Sequence, residues 1–129
     1  MPARSRSKTV LIVEDDPDIR LLFSTALTAR GYQVATAGNG NEALTALESG
    51  RLPSAILADL HMPVMDGWKF LSALHADPRL SAIPVVVVTA ADDSSQDAPR
   101  PSAILIKPVS TQTLVDAIET AIAGGDRSA

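Results

Sequence analysis

Short apolar segments of strand length recur along the chain, and segments of helical length separate most of them. Most of the apolar segments lack the polar alternation of a half-exposed strand, which is typical of strands covered on both faces in a parallel sheet. The predicted strands are Val10–Val13, Gln33–Ala37, Ala55–Ala58, Pro84–Thr89 and Ala103–Ile106. The pattern therefore predicts one parallel sheet that is largely buried.

The gaps between these strands carry apolar residues at helical spacing. The spacing between the first two strands predicts a helix that has one apolar face and ends at Gly31. The residues of that face are Ile19, Leu22, Phe23, Ala26 and Leu27. Later helices are predicted over Glu42–Ser49, Trp68–Ala76 and Thr111–Ala123, the last with Ser110 as its N-cap. Strand and helix in alternation predict an α/β fold with right-handed crossovers.

The segment between the fourth and fifth predicted strands breaks this alternation. Asp92–Ser102 carries Pro99 and Pro101 near its end, and proline interrupts helices. We therefore predict a short fourth helix there, or none.

The length of 129 residues is that of one average domain, which buries enough apolar surface to fold without disulfides or a structural metal. Hydrophobic residues make up 46% of the chain and charged residues 20%, proportions typical of a folded soluble protein. We expect one domain over residues 9–123, a disordered leader over residues 1–8 and a flexible tail over residues 124–129.

Charge and composition exclude several classes of function. The net charge is −4 and the Lys and Arg residues are scattered, so direct binding of nucleic acid is disfavoured. Without cysteine, the chain has no disulfide, no thiolate nucleophile and no sulfur ligand for a metal. No apolar run reaches the length of a signal-peptide core or a membrane span, so we expect a cytoplasmic protein.

Reactive side chains follow four of the five predicted strands. Ligands of open α/β sheets bind beyond the carboxyl ends of the strands, so these residues are expected at one edge of the sheet. They are Glu14, Asp15 and Asp16 after the first strand, Asp59 after the third, Thr89 at the end of the fourth and Lys107 after the fifth. A purely structural protein has little use for such an arrangement.

Clustered carboxylates repel one another and favour a hard cation with oxygen ligands, for which Mg²⁺ is the natural candidate and Mn²⁺ an alternative. A metal, a cationic side chain, a hydroxyl donor and an in-line nucleophile together meet the needs of phosphoryl transfer. In this interpretation Asp59 is the nucleophile and forms an acyl phosphate. Lys107 pairs with the phosphoryl group, and the Thr89 hydroxyl donates to one of its oxygens.

Four motifs resemble the response-regulator receiver family of two-component signalling in order, spacing and position. They are Leu11–Asp16, Ala58–Gly67, Val88–Ala90 and Ile106–Pro108. The likeness extends from about Thr9 to Ala123, and the set of four is far more specific than any one motif. It implies a flavodoxin-like parallel sheet in the order 2-1-3-4-5 with helices on both faces.

The resemblance also implies roles for individual residues. Glu14 and Asp15 match the acidic pair that holds Mg²⁺, Asp59 matches the phosphoacceptor, and the backbone carbonyl of His61 occupies the third metal-ligand position. Thr89 and Lys107 match the switch hydroxyl and the phosphate-binding lysine. The implied donor is a histidine kinase or a phosphotransfer protein, and the only chemistry implied is self-phosphorylation and slow self-dephosphorylation.

Some residues have simpler interpretations. Asp16 lies outside the matched acidic pair and is expected to cap a helix. Arg79 is expected to be solvated. No effector domain follows Ala123, so we expect a stand-alone receiver with output through contacts with an unknown downstream protein.

The chain departs from the family in its switch region. Ile104 stands where receivers usually carry an aromatic residue, Ala91 lacks a side chain that orients water, and Val109 often has phenylalanine as its counterpart. As a hypothesis, phosphorylation orders Asp92–Ser102 instead of rotating an aromatic ring.

Two other classes of function stay open. The first is a pseudo-receiver that binds a partner without being phosphorylated. The altered fourth-helix region favours it slightly, whereas the intact set of site residues argues against it: Glu14, Asp15, Asp59, Thr89 and Lys107. The second is a metal-dependent phosphatase with an aspartyl nucleophile. That class places a second Asp, the general acid, two residues after the nucleophile. This chain has His61 there, so this class ranks last.

Overall fold

The computed structural model describes residues 8–49, 52–59, 67–89 and 101–127, which form five strands and four helices. The strands are β1 (Thr9–Val13), β2 (Gln33–Ala37), β3 (Ala55–Asp59), β4 (Val85–Thr89) and β5 (Ala103–Ile106). The helices are α1 (Pro17–Ala29), α2 (Gly40–Glu48), α3 (Gly67–Ala76) and α4 (Thr111–Arg127). The five strands are parallel and lie in the order β2-β1-β3-β4-β5. This confirms the predicted flavodoxin-like sheet.

The strand register brings the carboxyl ends of the strands to one edge of the sheet. Val13, at the end of β1, pairs with Ala37 of β2 and with Ala58 of β3. On the other side, Asp59 pairs with Val88 of β4. The strand order reverses between β1 and β3, which is the place where open α/β sheets bind their ligands.

The core has two layers, because alternate side chains of the central strands point to opposite faces of the sheet. On one face, Leu11 and Val13 pack with residues of α2 and α3. On the other, Val10 and Ile12 pack with residues of α1 and α4. Every residue of β3 and β4 is buried, whereas the edge strands β2 and β5 expose about half of theirs. The lack of polar alternation is thus explained by burial of the central strands.

Two helices begin after the capping residues predicted from the sequence. Asp16 Oδ1 accepts hydrogen bonds from the backbone N–H groups of Asp18, at 2.9 Å, and Ile19, at 3.3 Å, so its predicted capping role is confirmed. Ser110 Oγ likewise accepts from the backbone N–H of Thr113 at 3.0 Å at the start of α4. Gly31, just after α1, has φ of 100°, a left-handed conformation that favours glycine and ends the helix.

The predicted apolar face of α1 is wrong at Leu22, whose side chain is 52% exposed. Helix α1 buries Phe23 and Leu27 and partly buries Ile19 and Ala26. Successive helical residues are about 100° apart around the axis, so Leu22 falls outside this narrow stripe although it has the spacing of a core residue. Helix α4 also runs to Arg127, past the end predicted at Ala123.

Most of the segment Asp92–Ser102 lies outside the described residues, so its short or absent helix and its ordering on phosphorylation remain predictions. Among the helices that are described, none combines the length and apolar character needed to cross a membrane.

Candidate functional site

Three carboxylates meet at the reversal point of the sheet. Glu14 and Asp15 follow β1, and Asp59 ends the neighbouring strand β3. One carboxylate oxygen from each residue lies within 4.8 Å of those of the other two. The side chains of Glu14 and Asp59 are only 2% and 5% exposed, respectively, while Asp15 faces solvent. The structure thus brings together three of the residues predicted from the sequence.

A cation completes this cluster. Lys107, which follows β5, places Nζ 3.2 Å from Oδ2 of Asp59. Its backbone N–H donates a hydrogen bond of 2.7 Å to the carbonyl of Thr89, at the end of the intervening strand β4. Thr89 is buried. Lys107 and Thr89 therefore lie at the sheet edge where the strand pattern predicts them.

Glu14 has a strongly raised pKa. Burial raises the pKa of its carboxyl from 4.5 to about 7, and the nearby Asp59 carboxylate adds to the increase. The hydrogen bond from the Asp16 backbone N–H to Glu14 Oε2, at 3.1 Å, and the charge of Lys107 oppose this rise in pKa. Near neutral pH this carboxyl therefore holds a proton part of the time unless a further positive charge is close.

The geometry of the three carboxylates fits a small divalent cation. Mg²⁺ binds oxygen at about 2.1 Å, so two oxygens that bind the same ion would lie no more than about 4.2 Å apart. The carboxylate oxygens of Glu14, Asp15 and Asp59 lie within 4.8 Å of one another, close to this limit, so these three residues would be able to hold one ion together. An all-oxygen ligand set suits Mg²⁺ or Mn²⁺. His61, whose carbonyl is the other predicted ligand, lies outside the described residues.

Sequence reasoning missed Arg20, the fourth residue of α1. Its Nη1 donates a hydrogen bond of 2.8 Å to the backbone carbonyl of Glu14. An arginine six positions after an acidic residue gives no signal in the sequence, because the contact arises only once α1 folds back beside the end of β1.

Comparison with known proteins decides the family. A family model described as the response regulator receiver domain matches residues 10–119, nearly all of the chain. The chain belongs to the response-regulator receiver family. This confirms the resemblance drawn from the four motifs, and it identifies the protein as a receiver domain, a signalling module of two-component systems.

The receiver is similar over most of its length to the protein PilH of Pseudomonas aeruginosa. The two are 34% identical over 119 residues, which cover 89% of this chain and 98% of PilH. Other curated relatives are longer, and the chain spans 36% of one and 19% of another.

Solved structures give the same result. The receiver has a TM-score of 0.84 and 30% identity with the signal receiver domain of a signal transduction histidine kinase from Syntrophus aciditrophicus, covering 91% of each chain. With the receiver domain of a sensor histidine kinase from Pseudomonas aeruginosa it has a TM-score of 0.81 and 26% identity, covering 90% of this chain and 98% of the other. That neighbour has a magnesium ion coordinated in its active-site cleft.

Strand β5 carries an isoleucine at the position where the family resemblance implies an aromatic residue. Ile104, in place of an aromatic residue, is 44% exposed, and Ile106 on the same face is 51% exposed. Val109 is partly buried against the α1–α4 side of the core. Ala91 lies outside the described residues.

Proposed function

We propose that this receiver takes a phosphoryl group onto Asp59 from the phosphohistidine of a histidine kinase or phosphotransfer protein, in a reaction that needs Mg²⁺ or Mn²⁺. One observation carries the proposal. The buried Asp59 carboxylate has the Lys107 ammonium 3.2 Å away, and it also lies within 4.8 Å of carboxylate oxygens of Glu14 and Asp15. A carboxylate nucleophile close to both a cationic side chain and an acidic pair that can bind a metal meets the needs of phosphoryl transfer.

In the proposed reaction a carboxylate oxygen of Asp59 attacks the phosphorus atom and forms an acyl phosphate. The phosphorus–nitrogen bond of the donor breaks, and its electron pair returns to the imidazole nitrogen. Lys107 moves from its ion pair with Asp59 to the phosphoryl oxygens, where it balances negative charge. Thr89, at the end of β4, donates its hydroxyl to one of the same oxygens.

Glu14, Asp15, Asp59 and the His61 carbonyl would hold the metal. When bound, the metal neutralises charge on the phosphoryl oxygens. The raised pKa of Glu14 supports this assignment, because a buried carboxyl beside a second carboxylate needs a positive charge to stay ionised.

The test is the intact mass of the chain after incubation with acetyl phosphate and Mg²⁺. We expect one phosphoryl group on the native chain and none on Asp59→Asn or in excess chelator. Asp116→Asn is the matched control, since Asp116 is exposed on α4 and its side chain accepts a hydrogen bond from Gln112 of the same helix. This control is expected to be phosphorylated like the native chain.

A second candidate is a pseudo-receiver that binds its partner without phosphorylation. The exposed Ile104 favours it, because an aliphatic side chain cannot make the ring rotation that usually reports phosphorylation. A native chain that takes no phosphoryl group from acetyl phosphate or from a panel of histidine kinases would favour this candidate. In both cases the output is through contacts with another protein.

A further inference from the structure

The backbone of Glu14 is held on both sides. Its N–H donates a hydrogen bond of 3.0 Å to the carbonyl of Ala37 at the end of β2. Its carbonyl accepts the 2.8 Å hydrogen bond from Nη1 of Arg20. Since Glu14 follows the last residue of β1, these two bonds fix the point at which the chain leaves the sheet and turns toward Asp15.

The Arg20 guanidinium also lies beside the loop that follows β2. A methyl group built on Gly38 would lie 3.8 Å from Nη1 of Arg20 and 3.3 Å from Oε1 of Glu42. Glu42, at the start of α2, accepts a hydrogen bond of 2.7 Å from the Gly38 backbone N–H. Arg20 therefore lies where the end of β1, the loop after β2 and helix α1 come together, which restricts the positions open to its side chain.

We propose that Arg20 is a positioning residue for the metal site. It fixes the backbone of Glu14 and thereby sets where the Glu14 and Asp15 carboxylates lie relative to Asp59. Among the residues that the structure describes, Arg20 donates to the Glu14 carbonyl and not to its carboxylate, so it leaves the carboxylate oxygens of Glu14 available to the cation. Replacing a residue that orients metal ligands typically weakens metal binding roughly 10- to 100-fold.

The positive charge of Arg20 and its positioning role have opposite effects on Mg²⁺ affinity, so the two can be told apart by experiment. A guanidinium near a cation site repels the cation, so removing its charge alone would strengthen Mg²⁺ binding. Loss of positioning would weaken Mg²⁺ binding. The sign of the change in affinity therefore separates a positioning role from a purely electrostatic one.

The inference rests on the metal binding of the proposed function. The experiment measures the Mg²⁺ dissociation constant by titration calorimetry for the native chain, Arg20→Met and Arg30→Met. It is done above about pH 8, so that Glu14 is ionised in all three chains. Arg30 is the matched control, because it lies just after α1 and its Nη1 forms an ion pair of 2.7 Å with Glu119 of α4, away from the cluster.

We expect Arg20→Met to raise the dissociation constant roughly tenfold and Arg30→Met to leave it within about twofold of the native value. Arg20→Met binding as tightly as the native chain, or more tightly, would overturn the positioning role, as would an equal loss in Arg30→Met. A native chain that binds neither Mg²⁺ nor Mn²⁺ would overturn the metal site itself, and the inference with it.

A second measurement separates positioning from general stability. Both substitutions are expected to lower the unfolding temperature in chelator, because each removes a hydrogen bond. Only Arg20→Met should also reduce the rise in unfolding temperature on adding Mg²⁺, since that rise reports binding to the folded state. Should Arg20→Met not fold, Arg20→Gln serves the same test, because its shorter side chain stops short of the Glu14 carbonyl. The proposal would be contradicted if the folded Arg20 variant showed the same rise in unfolding temperature on adding Mg²⁺ as the native chain.

Discussion

Nζ of Lys107 lies 3.2 Å from Oδ2 of Asp59, although 48 positions separate the two residues in the chain. Strand β4 runs between the strands that carry them, and the Lys107 backbone is tied to that strand by its hydrogen bond to the Thr89 carbonyl. The counter-charge of the proposed phosphoacceptor thus depends on the order of strands in the sheet.

Replacing Lys107 tests the importance of this pair. In Lys107→Met the phosphoryl oxygens lose their cationic partner, and we expect the rate of phosphorylation by acetyl phosphate to fall roughly 100-fold. The rate is followed by intact mass against time. Lys8→Met is the control, because Lys8 precedes β1 at the opposite edge of the sheet. A rate in Lys107→Met close to that of the control would remove Lys107 from the proposed chemistry.

Glu14 predicts how the stability of the metal-free protein depends on pH. Its carboxyl has a pKa of about 7 when folded, against 4.5 ordinarily, so between these values the folded state holds more protons than the unfolded state. The free energy of unfolding therefore falls as pH rises. The stability that protonated Glu14 contributes is fully present below 4.5 and lost as pH passes 7, a change of about 3 kcal/mol.

Urea unfolding in chelator across this pH range measures the effect. Glu14→Gln should remove most of the decline, since glutamine does not titrate. Glu48→Gln, at the exposed end of α2, should retain it. If Glu14→Gln loses stability with rising pH as steeply as the native chain, the raised pKa of Glu14 is not the cause.

Metal binding should be linked to the same proton. Because Mg²⁺ needs the ionised carboxylate, binding below pH 7 displaces the proton of Glu14 and is weakened by it. We expect Mg²⁺ affinity to increase with pH up to about 7 and then to level off. Calorimetry in two buffers of different ionisation enthalpy should show about one proton released at about pH 6 and almost none at about pH 8. Equal proton release at the two pH values would show that the displaced proton does not come from Glu14.

The α1 cap gives a prediction on stability alone. Asp16→Ala removes the acceptor of two backbone N–H groups, so we expect unfolding to become easier by about 1 kcal/mol. Asp16→Asn keeps an acceptor oxygen and should recover most of the loss. Both variants should still be phosphorylated, because Asp16 lies outside the carboxylate cluster. Equal stability of Asp16→Ala and the native chain would show that the cap is dispensable.

Much of the fold and site follows from the sequence because a parallel sheet imposes strong rules. Buried strands must be apolar throughout, and their carboxyl ends share one edge. Reactive residues such as Asp59 and Lys107 could therefore be placed together without knowing any distance. The identity of the His61 carbonyl as a ligand came only from the family resemblance and stays a prediction.

Contacts that depend on the exact path of the backbone were not predictable. Arg79 is exposed, as the sequence predicts, but its Nη2 also donates a hydrogen bond of 3.1 Å to the carbonyl of Leu47 near the end of α2, and the sequence does not indicate this contact. Leu22 has core spacing but is exposed, because the rotation of α1 about its axis is set by what it packs against. Neither the Arg79 bond nor the Arg20 bond has a periodicity or a motif that would mark it in the sequence.

The measurement that tests the central claim most directly is to locate the phosphoryl group after reaction with acetyl phosphate and Mg²⁺. Borohydride reduces an acyl phosphate of aspartate to homoserine, which peptide mass spectrometry assigns to one position. The proposed function predicts that the reduced residue is at position 59 and that the product disappears in chelator. A phosphoryl group on another residue, or none on the metal-loaded native chain, would contradict it.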